Sequence, residues 1–146
     1  MRLSTILLIL VTILPACAEQ DRTIKGVDDY KAEARAVVVS SDAADIIDLM
    51  GDDSVVFVDV REGDEIARDG KIQGAIHVPR GVLEFYIDPA SSMHMDIFSS
   101  GKKVVFYCET GGRSLLAARV AMDMGVEDAV LLTGGFKAWV EAGGAI

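Results

Sequence analysis

Seven consecutive residues carry the types and spacing that chemistry requires: Cys108-Glu109-Thr110-Gly111-Gly112-Arg113-Ser114. A cysteine acts as a nucleophile through its thiolate, and its ordinary pKa of about 8.5 leaves it mostly protonated near neutral pH unless the surroundings favour the anion. Here they do. Gly111 and Gly112 let the backbone curl through positive φ, so that successive N–H groups face the sulfur. Ser114 is a good N-cap for a following helix, whose N-terminus carries roughly half a positive charge, and Arg113 adds a full one. A lone cysteine after an apolar run is more commonly a small buried hydrophobe. Two glycines and an arginine beside it would make a poor core and a good anion site.

The elements around this loop must hold it rigidly. Residues 104–107 (Val-Val-Phe-Tyr) read as a buried strand, and Leu115, Ala118, Val120, Ala121 and Met124 mark a largely apolar helix after the loop. Upstream, residues 37–39 (Val-Val-Val) read as a strand. Ser40 or Ser41 caps a helix carrying Ala44, Ile47 and Met50, and Gly51-Asp52-Asp53 turns out of it. Residues 55–58 form another strand, ending in Asp59-Val60-Arg61-Glu62, and residues 65–68 a short helix stopped at Asp69-Gly70. Strand and helix in alternation predict an α/β fold: a mostly parallel sheet of about five strands with helices on both faces. At 146 residues the chain has room for one domain with a substantial core.

Two cysteines exclude a disulfide framework and a cysteine-rich zinc site, and no Cys-x-x-Cys pair is present. His77, between Ile76 and Val78, reads as a strand residue, and His94 has no evident partner, so no metal site is expected. Arg2 followed by the apolar run 3–14 is too short to span a bilayer and suits an export signal. Residues 1–18 are therefore set aside as a signal peptide. Leu14-Pro15-Ala16-Cys17 resembles a bacterial lipobox, in which Cys17 becomes the lipidated first residue. Ala16-Cys17-Ala18 also fits ordinary cleavage after Ala18, which would release a soluble periplasmic protein. The lipoprotein reading is preferred, with membrane attachment only through that anchor. Residues 19–36 read as a tether with a short surface helix over 28–35, and residues 37–146 as the folded domain.

Loss of residues 1–16 removes one charge, Arg2, and leaves 13 basic and 23 acidic residues, a net charge of −10. Nucleic acid is excluded as a partner, since a phosphate backbone needs a basic surface. Small anions are repelled at long range, so an anionic substrate must be held by local dipoles and by Arg113.

Spacing separates two cysteine chemistries. Cysteine-dependent phosphatase families place five residues between Cys and Arg, whereas four intervene here, Glu109 to Gly112, and Tyr107 stands where tyrosine phosphatases carry His. The strand, the Cys-x-x-Gly-x-Arg-Ser loop and the helix resemble the active-site loop of the rhodanese family of sulfurtransferases. Two further segments resemble the family in the expected order. Asp59-Val-Arg-Glu62 with Gly70-Lys-Ile-Gln-Gly-Ala-Ile-His-Val-Pro79 matches its upstream signature, and Ala129-Val-Leu-Leu-Thr-Gly-Gly-Phe-Lys-Ala-Trp139 its closing segment.

The resemblance implies a three-layer α/β sandwich and sulfur transfer by double displacement through a Cys108 persulfide. The donor would be thiosulfate or a persulfide, and the acceptor cyanide, a thiol or a protein. No cofactor is implied. The amides of residues 109–113 would stabilise the terminal sulfur anion, and Arg113 would orient the donor or shape the loop. Asp59 and Arg61 are read as an architectural ion pair. In similar proteins the connection through residues 86–98 runs near the site mouth, but core packing is the expectation for Phe85, Tyr86 and Met93. Lys71 replaces the family's usual His at a surface position, and Glu109 places a carboxylate directly after the nucleophile, where it would oppose a dianionic donor. The other readings are a persulfide-carrying or sensing module without fast turnover and, disfavoured by the short loop, a small phosphatase or arsenate reductase.

Overall fold

The computed structural model describes residues 24–146. The signal peptide, the Cys17 lipidation candidate and the first part of the tether lie outside the described residues. The described chain runs α1 (Val27–Arg35), β1 (Val39–Ser41), α2 (Ala43–Ile46), β2 (Val55–Asp59), α3 (Gly63–Asp69), β3 (Ile76–His77), α4 (Leu83–Ile87), β4 (Lys103–Tyr107), α5 (Gly112–Asp123), β5 (Ala129–Leu132) and α6 (Gly135–Glu141), with short 3₁₀ turns between. The five strands form one sheet in the order β1-β5-β4-β2-β3, and every pair is parallel.

The alternation of side chains along each strand assigns them to two cores. On β4, Val104 and Phe106 enter one core with Val58, Leu131, Leu115 and Ala118, beneath α1, α4 and α5. Val105 and Tyr107 enter the other with Phe57, Val130, Leu132, Phe136 and Trp139, beneath α2 and α6. Strands covered on both faces read as continuous apolar runs, as 55–58 and 104–107 do. Trp139 is wholly buried, packs edge-on against Phe57 at 5.3 Å, and donates its indole N–H to the Ala145 carbonyl at 3.1 Å.

Three local expectations are revised. The helix assigned to the tether packs on the domain: Ala34 of α1 is fully buried in the core shared with α5. The N–H groups of Val37 and Val38 bond back to the Ala34 carbonyl, so these valines form the exit from α1 and the strand begins two residues late, at Val39. Asp42 rather than Ser40 or Ser41 precedes α2 as its N-cap, because Ser40 and Ser41 pair with Leu131 and Leu132 in the sheet.

Candidate active site

Cys108 follows the carboxyl end of β4, the central strand of the sheet, where open parallel sheets form their ligand crevices. Its residue is 1% exposed. The chain then curls inward: Gly111 takes φ +97° as the residue before α5, a conformation that disfavours any side chain. Its N–H donates to Cys108 Sγ at 3.2 Å. Ser114 is buried as the third residue of α5 rather than its N-cap, and its hydroxyl lies 3.5 Å from the same sulfur as a donor. Burial pushes the Cys108 thiol up, but the Ser114 hydroxyl and the N–H groups of Ser114, Thr110 and Gly111 outweigh it, and the thiol is held below its ordinary value.

The loop's carbonyls are turned the other way, and α6 takes them. The N–H groups of Phe136 and Lys137 donate to the carbonyls of Cys108 (2.7 Å) and Glu109 (3.2 Å). This requires α6 to abut the loop without a side chain in between: a Cβ on Gly135, which has φ +65°, would lie 2.3 Å from the Cys108 carbonyl oxygen. The Gly-Gly-Phe of the closing segment is thus part of the site's construction, a role that spacing alone did not reveal.

Asp59 and Arg61 form a fully buried pair. Arg61 Nη2 donates to Asp59 Oδ2 and to the Gly70 carbonyl, both at 2.7 Å, and Nε to Asp59 Oδ1 at 3.0 Å. Its guanidinium sits 4.0 Å from the Phe136 ring centroid. Burial opposes the charge on Arg61, but Asp59 more than compensates and the arginine's pKa is raised. Tyr107, on the same face, is pushed above its ordinary value by burial and by the Asp59 charge, so its hydroxyl stays protonated and accepts the Ile72 N–H at 3.2 Å. The pair therefore clamps the β2 end, the turn at Gly70 and α6 together beneath the cysteine loop. The β3 edge joins the clamp through His77, whose Nε2–H donates to the Arg61 carbonyl at 2.9 Å, consistent with its reading as a strand residue.

Arg113 points at Glu65 of α3 in a bidentate pair at 2.6 and 2.7 Å. The Arg113 hydrogen bonds hold Glu65 down at about 2, and Glu65 in turn raises Arg113. Arg113 is thus held against α3 while its guanidinium also feels the Cys108 sulfur. Glu109 is half-buried with its carboxylate 3.5 Å from Arg61 Nη1, so the clamp partly balances the charge that seemed set to oppose an anionic donor. The concavity at Cys108, about 290 Å³, is bordered by Thr110, Gly112, Arg113 and Leu116 and, from α1, by Val27 and Lys31. Phe85, Tyr86 and Met93 do not border it: Tyr86 packs against the core as expected, whereas Phe85 and Met93, also expected in the core, are exposed. Sequence reasoning missed α1 as a wall of the site, because its polar composition read as solvated tether.

A parallel α/β sheet ending in a cysteine-centred anion cradle defines the class, and the comparisons name it. The rhodanese-like domain model matches residues 42–142, and the chain belongs to that family. Human thiosulfate:glutathione sulfurtransferase is 30% identical over 89 residues, covering 57% of this chain and 76% of that one. The thiosulfate sulfurtransferase GlpE of Shewanella oneidensis is 35% identical over 89 residues, 61% of this chain and 79% of that one. Among solved structures, a Rhodopseudomonas palustris protein of unknown function, described as a possible tyrosine phosphatase, is 46% identical with a TM-score of 0.81, over 86% of this chain and 97% of that one. The human single-domain sulfurtransferase TSTD1 is 27% identical with a TM-score of 0.57, over 70% and 95%.

Proposed function

We propose that this protein is a sulfurtransferase working through a Cys108 persulfide. The observation that carries the reading is the cradle around the sulfur: a buried thiol held below its ordinary pKa, with Gly111 N–H and the Ser114 hydroxyl aimed at it. The Cys108 thiolate attacks the outer sulfur of thiosulfate; the S–S bond breaks and sulfite leaves with its electron pair. The new Cys108 S–S⁻ anion sits where the loop amides point. A thiolate or cyanide then attacks that terminal sulfur, the Cys108 S–S bond breaks with its electron pair returning to Cys108 as the thiolate, and the acceptor leaves as a persulfide or as thiocyanate. Every step keeps negative charge on sulfur inside a ring of fixed donors. The acceptor in this reading is a small thiol or a partner protein.

The description of the Rhodopseudomonas relative makes phosphate-ester hydrolysis the reading to test beside it. Four residues between Cys108 and Arg113, one short of the phosphatase pattern, favour the smaller sulfur anion. Purified protein assayed with thiosulfate and cyanide or a thiol, and separately with p-nitrophenyl phosphate, distinguishes the two. We expect turnover in the first alone, one sulfur atom added to the Cys108 peptide by mass spectrometry after donor treatment, and loss of activity in Cys108→Ser, whose hydroxyl remains protonated. Slow turnover with a stable Cys108 persulfide would instead mark a persulfide carrier or sensor. The export reading of residues 1–18 places this chemistry in the periplasm, held at the membrane by a lipidated Cys17.

A further inference from the structure

We infer that α1, which lies outside the residues matched to the rhodanese-like model, supplies the cations that bind an anionic sulfur donor: Lys31, with Arg35 beside it. The inference rests on the sulfurtransferase reading and assigns its donor class, a small oxyanion carrying a sulfane sulfur, such as a thiosulfonate or thiosulfate.

The charges around Cys108 lead there by position. Arg113 borders the concavity and faces the Cys108 sulfur, but two short hydrogen bonds pair its charge with Glu65. Glu109 faces Arg61, whose guanidinium is fully buried. Lys31 borders the Cys108 concavity directly, and its Cε would lie 3.8 Å from a Cβ on Gly112, against the first turn of α5. Its one ion pair among the described residues is with Asp28 at 3.6 Å, beyond hydrogen-bond reach, and that carboxylate is 93% exposed. Arg35, four residues on and so on the same face of α1, borders the adjoining concavity of about 340 Å³ with Lys31, Thr110 and Gly112. No ion pair holds it among the described residues. Two loosely held cations thus overhang one side of a loop whose other charges are paired.

Their position suits the reaction. A donor whose sulfane sulfur points into the loop must leave its oxyanion end outside, where the amides do not reach and where negative charge remains as sulfite departs. Lys31 stands on that side. In a chain with net charge −9, local cations are also what brings an anion to the mouth. The burial of Ala34 and Val38 fixes α1 in place, so the cations are held by the fold rather than by a mobile arm.

The test needs a readout independent of sulfur transfer. Cys108 alkylation is followed by mass spectrometry of its peptide with iodoacetate, an anion, and iodoacetamide, its neutral analogue of similar size. The ratio of the two rates cancels any change in thiolate fraction or loop integrity. Lys31→Gln is expected to lower the iodoacetate-to-iodoacetamide ratio roughly five- to tenfold, the scale of one nearby charge in a partly solvated site. Arg35→Gln should lower it about twofold, Lys31→Arg should restore most of the wild-type ratio, and Lys103→Gln, which removes the same charge at the far end of β4, should leave it unchanged. The kcat/KM for thiosulfate should fall in parallel with the ratio. An unchanged ratio in Lys31→Gln, or an equal fall in Lys103→Gln, overturns the inference. A lowered ratio in a protein that turns over no thiosulfate supports anion capture by α1 and refutes the sulfurtransferase reading alone.

Discussion

Ser114→Ala tests the cradle at its most informative point. The Ser114 hydroxyl is buried and lies 3.5 Å from Cys108 Sγ, with the backbone N–H of Gly111 at 3.2 Å as the other close donor. A hydrogen bond to a charged group contributes about 1.5 to 3 kcal/mol; at this length to a diffuse sulfur acceptor the lower end applies, and about 1.4 kcal/mol corresponds to one pH unit. The substitution should therefore raise the Cys108 pKa by about one unit, with the amides still in place. Below the thiol's pKa, one unit cuts the thiolate fraction about tenfold while the more basic thiolate gains about threefold in nucleophilicity, so the alkylation rate falls about threefold. The sign extends to stability. A thiol held below its ordinary pKa contributes stability that is fully present above the unfolded value and is lost as pH falls through the folded value. Ser114→Ala should diminish that dependence. The assay is iodoacetamide alkylation of Cys108 as a function of pH, with thermal melting at matched pH. A midpoint unmoved in an intact fold would mean that the hydroxyl does not stabilise the thiolate, and the cradle would reduce to backbone amides alone.

Three further outcomes follow from the same geometry. Gly135→Ala drives a methyl to 2.3 Å from the Cys108 carbonyl in a left-handed conformation; a loss of about 3 kcal/mol, on the order of 10 °C in Tm, is expected, together with loss of thiolate stabilisation. Glu65, held down at about 2 from an ordinary 4.5, contributes stability that is present above the ordinary value and is lost as pH falls through about 2; Glu65→Gln should therefore flatten the melting temperature between pH 5 and 2 relative to wild type. For Cys17→Ala, the lipoprotein reading predicts loss of membrane fractionation and of detergent release, whereas a soluble mature protein beginning at Glu19 would establish cleavage after Ala18 instead.

The strands were legible because they are covered on both faces: residues 55–58 and 104–107 are apolar without interruption, and a parallel sheet follows from the helices between them. Cys108 was legible because glycine, arginine and serine beside a cysteine serve no core. The positions that failed depend on partners distant in sequence. Ser114 reads locally as an N-cap, but Gly111 already occupies that place in its left-handed conformation, which turns the Ser114 hydroxyl inward to the sulfur. Glu109 reads locally as a repulsive charge at the rim, yet Arg61, 48 residues away, faces it. The helix from Val27 reads as solvated because seven of its nine residues are charged or alanine, and the single buried Ala34 that seats it carries no distinguishing signal.

The cradle's polarity has a cause beyond the loop itself. A backbone segment that presents its N–H groups to one side must present its carbonyls to another, and buried carbonyls need donors. Here the first turn of α6 supplies them, through Phe136 and Lys137, and the Asp59–Arg61 clamp fixes that helix by stacking the guanidinium on the Phe136 ring. The ring lies directly above a fully buried charge pair, so moving Phe136 would expose Arg61 and release the carbonyls together. The Asp-Val-Arg segment, the cysteine loop and the Gly-Gly-Phe turn are therefore one device assembled from three strand ends, and the anion site exists only while all three are seated.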